Sequence, residues 1–521
     1  AYHLYALSLS KAEASGAAEK FFSPVYSATP ANEENAGIMG GILKELFRYT
    51  QDQKYAIEAR DIYANNFNQT ESYYTGINAA SMFALTGKSV TAKEIANKIL
   101  AKLSIDTSDF WEIVTIAEAK LLLKKSQEAV EFYSRGRKLA GKDWGKINSV
   151  YKQLWMINHY FPVPSSVIKA FSPPKIGVFV GHMVDREGGN VRFPKSIVPQ
   201  IKQAIDERLK SLDIQIGYCS LACGGDILFA EALTENNGDV NVYLPFPKED
   251  FLKTSVSFAG QEWVDRFEKL EQKWPLHFLT DEQFHGNNDL FLLHGRSLIG
   301  FALLRAQMTH SEPYFITVLA SSDTQRKEGG TRDLLKLWPK EEHHFNIDPG
   351  NFATNEIRKS SSTFIEQEQP WRVLYIGYLD FPHLALVDAE LNKIVDRYRS
   401  EFEDELIFSE SKSGKLLIGL NSSYGALRLA RKIINDYKIK TGRSDYRSVF
   451  HAASVQLSNN QLNGLEVENI IEAMKYALPE NLMCTSAYAT SLILDPGHFK
   501  FHYAGSIRNK LEMYSLEVSE F

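Results

Sequence analysis

Ile176-Gly-Val-Phe-Val-Gly-His-Met-Val-Asp185 is an apolar run that breaks into glycine and then into polar residues. A parallel strand delivers its carboxyl end to a ligand in this way. Cys223-Gly-Gly-Asp226 and Gly329-Gly-Thr-Arg332 follow the same grammar, each behind an apolar run. Bare glycine lets phosphate oxygens approach main-chain N–H groups and helix N-termini. Three such ends in one domain predict a pocket for a phosphorylated ligand. The expected ligand residues are Gly181, His182, Asp185, Gly224, Gly225, Asp226, Glu231, Gly329, Gly330, Thr331 and Arg332.

The surroundings alternate between strand and helix. Strands are expected at 176–181, 214–219, 240–244, 314–320 and 344–347, with helices at 195–211 and 225–236 and from Thr331. A long helical region is expected to run to about 310. Such alternation builds a doubly wound, Rossmann-like parallel sheet, here assigned to 172–350. Upstream, 1–165 reads as antiparallel helices with small residues (Ala79, Ala80, Ala84, Ala117, Ala119, Ala129) at close approaches. Ala129-Val-Glu-Phe-Tyr133 ahead of Ala140 has the pattern of a tetratricopeptide (TPR) repeat. Pro162-Val-Pro and Ser172-Pro-Pro174 mark the boundary, and the polar stretch 350–370 reads as a linker. The remainder, 366–521, reads as an α+β domain of ferredoxin-like βαββαβ order. Its strands are expected at 372–376, 415–420 and 447–455 and near 482–486, 499–504 and 512–518. Its helices are expected at 388–402, 423–441 and 467–477.

A chain of 521 residues is too long for one core. With 58 basic and 64 acidic residues its net charge of −6 gives no reason to expect nucleic acid. No apolar run is long enough for a membrane span. Three cysteines, Cys219, Cys223 and Cys484, are too few for a disulfide framework and fit a reducing cytoplasm. Cys219-x3-Cys223 lacks a second ligand pair, and no histidine has partners at metal spacing, so neither metal nor cofactor is expected. Arg296 and Arg305, nine apart on one helix, should point to opposite faces. The chain opens on Ala1-Tyr-His-Leu without methionine, as a trimmed product would.

Three resemblances add to this reading. Ala36-Gly-Ile-Met-Gly-Gly41, Ser72-Tyr-Tyr-Thr-Gly-Ile-Asn-Ala-Ala80 and Phe110-Trp-Glu-Ile-Val-Thr-Ile-Ala-Glu-Ala119 resemble the helical region beside the TRAF-binding segment of apoptosis-signal-regulating kinases. That resemblance implies a protein-interaction scaffold without chemistry. Gly181-His182, Cys223-Gly-Gly-Asp-Ile-Leu-Phe-Ala-Glu231, Val242-Tyr-Leu-Pro-Phe246 and Gly329-Gly-Thr331 resemble the SLOG superfamily. Its phosphoribohydrolases carry a glutamate where this chain has Leu334, so binding is expected rather than hydrolysis. Asp226 and Glu231 are left either as ribose-hydroxyl acceptors or as ordinary charges at a helix start and on a solvated helix face.

Val373-Leu-Tyr-Ile-Gly-Tyr378, Lys415-Leu-Leu-Ile-Gly-Leu420, Val449-Phe-His-Ala-Ala-Ser-Val455, Gly464-Leu-Glu-Val467 and Tyr503-Ala-Gly505 are similar to class III nucleotidyl cyclases. The metal-binding aspartates of that family fall at Gly377 and around Ser413-Gly414. Its asparagine and arginine fall at Glu468 and Glu472. Glycine and serine cannot replace anionic metal ligands, which implies a pseudo-cyclase serving dimerisation or regulation.

The resulting expectation is a cytoplasmic signalling protein of a bacterial defence or stress pathway. It binds a nucleotide-type small ligand in the central domain and a protein partner through the helices, and has a second copy as a candidate partner in a homo-oligomer. No nucleic acid, no membrane and no catalytic residue are expected. The alternatives are a nucleotide-processing enzyme, by N-glycosidase or residual cyclase chemistry, and a pure interaction scaffold.

Overall fold

The computed structural model describes residues 2–3, 6, 15–186, 192–286, 288–321, 331–352, 371–382, 388–458, 461–508 and 511–518. The chain divides into two compact units, 1–173 with 502–505, and 174–501 with 506–521.

The first unit is helical: α1 (Ser15–Ala28), α2 (Glu33–Thr50), α3 (Gln53–Thr70), α4 (Tyr73–Leu85), α5 (Ser89–Lys102), α6 (Phe110–Leu122), α7 (Ser126–Ala140), α8 (Trp144–Asn158) and α9 (Ser165–Ala170). Asn32, Asp52, Ser72, Asp109 and Asp143 each accept an N–H from the first turn of the helix they precede. Such a cap stabilises a helix by about 1 kcal/mol. Consecutive helices pack on one another, and Ala79, Ala80, Ala117 and Ala119 are fully buried where they meet. Four helices also share a polar cluster. Lys44 donates to Asn78 (2.6 Å) and Gln153 (2.8 Å), and Gln153 donates to Glu118 (2.7 Å), which Ser81 also meets. Burial pushes the Lys44 ammonium down and the Glu118 carboxyl up.

The second unit begins with β1 (Lys175–Gly181), α10 (Val198–Leu212), β2 (Ile214–Cys219), α11 (Gly225–Glu235), β3 (Asp239–Leu244), α12 (Lys248–Ser255), α13 (Gln261–Glu271), β4 (Leu276–Phe278), α14 (Asp289–Thr309), β5 (Pro313–Val318), α15 (Thr331–Leu335) and β6 (His344–Ile347). All six strands are parallel, in the order β4-β3-β2-β1-β5-β6. The chain winds outward from β1 to β4, then returns to add β5 on the other side of β1. That reversal is the switch point at which open α/β sheets take ligands.

A second, mixed sheet follows. It is built from β7 (Trp371–Asp380), α16 (Asp388–Arg399), β8 (Leu406–Lys412), β9 (Lys415–Leu420), α17 (Ser423–Thr441), β10 (Arg447–Ser458), β11 (Gln461–Asn463), α18 (Leu465–Met474), β12 (Leu482–Thr485), α19 (Ser486–Leu492), β13 (Phe499–Ile507) and β14 (Leu511–Val518). Its order is β13-β14-β12-β10-β7-β9-β8, with β11 on β10. Within it β10 and β12 run parallel, while β10 with β7 and β11, β7 with β9, β8 with β9, and β12 with β14 run antiparallel.

Helix α14 belongs to both halves of this unit. Phe301 stacks on Tyr243 of the parallel sheet at 4.1 Å, while Leu293 and Leu304 enter the core beneath the mixed sheet. Arg296 meets Asp495 at 3.0 Å and the Ser491 carbonyl at 3.2 Å, a tie between α14 and the chain at and after α19. Among the described residues no helix is long and apolar enough to cross a membrane.

Several elements differ from expectation. The stretch to about 310 holds three helices and the three-residue strand β4. Strand β8 was not expected, because only Phe408 of its residues is buried and the alternation is faint. Helix α19 was not expected either; its last six residues are all buried, so no polar face marks it.

Gly300 is where α14 touches α19. A Cβ there would lie 2.2 Å from the Thr490 carbonyl oxygen. Gly300→Ala should therefore destabilise the second unit by about 1–3 kcal/mol, despite alanine's better helix propensity. Thermal melts followed separately in each unit check this, and the helical unit should be unaffected.

Candidate functional site

The parallel sheet brings the first two glycine motifs together. His182 N–H donates to the Val318 carbonyl (2.9 Å), which fixes the end of β1 against the end of β5. The loop after β2 folds back across this end: Met183 and Gly224 form an antiparallel bridge, and Val184 N–H donates to the Cys223 carbonyl at 3.1 Å. Gly224 has φ +115°, and a Cβ there would lie 2.8 Å from both the His182 oxygen and the Val184 nitrogen. Only glycine fits.

The close approach at Gly224 is thus made by the chain's own backbone. Gly225 N–H donates to the His182 carbonyl (3.1 Å) and Ile227 N–H to Ala222 (3.3 Å). Gly181 and Gly225 also have a packing reason, since a Cβ on either would lie 2.8 Å from the Phe179 ring. That ring is fully buried and stacks on Phe229 at 4.9 Å.

The acidic candidates are all engaged. Asp226 is 5% exposed and accepts from the Ser220 hydroxyl at 2.9 Å; burial pushes its carboxyl up to about 7. Asp185 is half-buried and accepts the N–H groups of Arg192 and Phe193 at 3.0–3.1 Å. Burial pushes its carboxyl up despite those bonds. Glu231 is held by the Arg266 guanidinium through two bonds (2.8 and 2.6 Å), with Lys202 at 3.5 Å. It stands apart from the glycine loops.

The third motif is described in part. Gly329, Gly330 and the side chain of Thr331 lie outside the described residues. Arg332 reaches back to the carbonyls of Ala320 (3.4 Å) and Ser321 (3.3 Å), just beyond β5. Leu334 is buried, and a Cβ on the facing Gly295 would lie 2.3 Å from it. Next to this edge is a groove of about 340 Å³ lined by Arg208, Ser211, Asn346, Asp348 and Phe352. Asp348 accepts Ser321 N–H at 3.2 Å, and the Arg208 guanidinium lies 4.6 Å above the Phe345 ring. Sequence reasoning missed this groove because its residues come from α10 and from the turn after β6.

Cys219, Cys223 and Cys484 are buried free thiols; burial pushes Cys223 up to about 12. Among the described residues no group of three His, Cys, Asp or Glu side chains could hold a metal. In the mixed sheet, Gly377 faces Ile418 and Phe450. Ser413 (φ 54°) and Gly414 (φ 77°) form the two-residue tip of the β8–β9 hairpin. Glu472 on α18 pairs with Lys475 and with Arg508, at 2.5 and 3.2 Å.

A buried polar line runs through the same sheet. His451 meets Thr485 Oγ1 at 2.8 Å through Nδ1 and Glu466 at 2.7 Å through Nε2. Burial alone would raise the Glu466 carboxyl, but hydrogen bonds from His451, Thr280 and Asn469 hold it down at about 2. No spacing rule links residues 451, 466 and 485, so this line was not legible in the sequence.

Comparison with known proteins gives two kinds of match. The family model for Tetratricopeptide Repeats-Sensor, TPR-S, matches residues 1–83. None of the curated proteins matches the chain. Many solved structures are similar over part of this chain, and three of those that cover 29% of it illustrate the match. They are the dimeric guanylyl cyclase domain of the RhoGC fusion protein from the aquatic fungus Blastocladiella emersonii (11% identity, 97% of that chain, TM-score 0.24), the adenylyl cyclase CyaB from P. aeruginosa (10%, 96%, 0.23) and the adenylate/guanylate cyclase/hydrolase from Silicibacter pomeroyi (16%, 99%, 0.23).

Asp226 gives a pH signature. Its folded value, about 7, lies above the unfolded carboxylate range, so its contribution to stability is full below about pH 4 and is lost as pH rises through about 7. Asp226→Asn removes that dependence. The variant's melting temperature relative to the parent should therefore rise steadily from pH 5 to pH 8. A parallel shift at all pH values would contradict the assignment.

Proposed function

We propose that this protein is a sensor that binds a nucleotide-derived messenger, of the cyclic-nucleotide or ADP-ribose class, at the carboxyl edge of its parallel sheet. One observation carries the reading: the reversal of strand order at β1 and β5 sets Gly181 and His182 beside the end of β5, where Arg332 bonds the carbonyls of Ala320 and Ser321, and we place the ligand crevice there. A groove of about 340 Å³ adjoins it, within the range of small-molecule sites. In this reading Arg332 supplies the cationic fork for a phosphate, and Gly329, Gly330 and Thr331, which precede it in the sequence, are proposed as further ligand residues. Gly224 and Gly225 shape the wall of the crevice and leave the phosphate contacts to other groups, because their close approaches serve the chain itself.

Binding without turnover is the better account of the chemistry. Asp185, Asp226 and Glu231 are each committed to internal partners, and Leu334 fills the core where phosphoribohydrolases carry their glutamate. A glycosidic bond needs an available acid or base.

The rest of the chain is assigned around this site. Residues 172–350 form the SLOG-like domain. Residues 1–165, similar to the helical region of apoptosis-signal-regulating kinases, engage a protein partner, and the tetratricopeptide repeats in the name of the model that matches residues 1–83 agree with a helical-repeat region there. Residues 366–521 form a ferredoxin-like pseudo-cyclase that mediates dimerisation or regulation. The order β10-β7-β9-β8 supports that topology, and the apolar surroundings of Gly377 support the loss of metal chemistry. A bacterial defence or stress pathway is the setting this combination suggests.

Thermal-shift screening against NAD, ADP-ribose and linear and cyclic nucleotides tests the reading, since a ligand at a hundred times its Kd adds about 2.7 kcal/mol. At least one compound should raise the transition of the second unit. Arg332→Ala should weaken that compound by about ten- to a hundredfold, with no base released by the parent protein. No shift across the panel would contradict it.

A further inference from the structure

The seven residues Leu279 to His285 leave the carboxyl end of β4 and cross to the mixed sheet. One end is anchored in the parallel-sheet half. Phe284 stacks on Phe246 at 4.5 Å, and its N–H donates to the Asp250 carboxylate of α12 at 3.1 Å. The other end holds the start of α18. The Glu282 carboxylate accepts the N–H of Leu465 at 2.5 Å, and the Thr280 hydroxyl bonds Glu466. His285 stacks on Trp371, the first residue of β7, at 4.3 Å.

Helix α12 continues the connection to the crevice. The Ser255 carbonyl at its end accepts Cys223 N–H (2.9 Å), and the Cys223 carbonyl accepts Val184 N–H (3.1 Å). An unbroken series of hydrogen bonds and packed rings therefore runs from the loop after β1 to α18. Every polar link in it is directional, so displacing the glycine loop displaces α12, and through Asp250 and Phe284 the strap.

We propose that Leu279–His285 is a coupling strap that transmits rearrangement of the sheet's crevice to the first turn of α18, and through Glu466 to His451 in the mixed sheet. What drives the strap rests on the sensor reading, but the mechanical link itself does not. Mere proximity would not make a coupling; exchange of α18 amides must follow the strap.

Hydrogen–deuterium exchange on the full chain tests this without any ligand. Glu282→Ala should accelerate exchange across 465–474 by about tenfold or more while leaving 176–181 unchanged. Thr280→Val, close in shape but lacking the hydroxyl that donates to Glu466 and accepts the Glu282 N–H, should act in the same direction. Unchanged exchange at 465–474 in both variants overturns the strap. In a second arm with ADP-ribose in millimolar excess as the probe, wild-type protection at 181–185 should extend to 465–474, and Glu282→Ala should keep the first and lose the second. Protection of 465–474 that persists in Glu282→Ala also overturns the strap. If ADP-ribose protects neither segment, that result counts against this compound class as messenger, and the ligand-free arm still decides the strap.

Discussion

Between Leu290 and Thr309, helix α14 has no exposed residue. A helix that is apolar on every side must be covered on every side, and here two different sheets supply the cover. Tyr218 and Tyr243 pack on Phe301 from the parallel sheet, while Thr490 of α19, which packs on the mixed sheet, presses against Gly300. His294, whose ring nitrogen meets the Tyr243 carbonyl at 2.8 Å, is pushed down to about 4 by the same burial. The two sheets are therefore parts of one compact unit that share the core around α14.

That arrangement explains how far the sequence could be read. Strands β1, β2 and β5 are largely buried, so they appear as mostly apolar runs, β1 ending in Gly181, and their alternation with helices pointed to a parallel sheet. The same logic fails for β4, which is three residues long, and for β8, where one buried side chain leaves almost no period. It also fails for α14 as a shared element, because an apolar helix does not declare which of two sheets it will cover.

The approach of two glycine motifs at one end of the parallel sheet was legible in the sequence; what selects their glycines was not. Glycines at 181, 224 and 225 do converge, but the force that selects them is the Phe179 ring and the bridge between Met183 and Gly224. A glycine selected by close packing and one selected by a phosphate are identical in sequence. Asp226 illustrates the same ambiguity: placed at a helix start it suggests an exposed anion, yet the fold buries it under Ser220 and drives it toward neutrality. Arg332, which reaches back to the end of β5, is the site residue whose type and position agree most directly.

The claim that both sheets share the core around α14 is open to a single direct measurement. Urea unfolding of the intact chain, sampled by pulsed hydrogen–deuterium exchange, should show β1, β5, β7 and β10 losing protection together at one midpoint. Loss of protection in β7 and β10 at a clearly different urea concentration from β1 and β5 would contradict it.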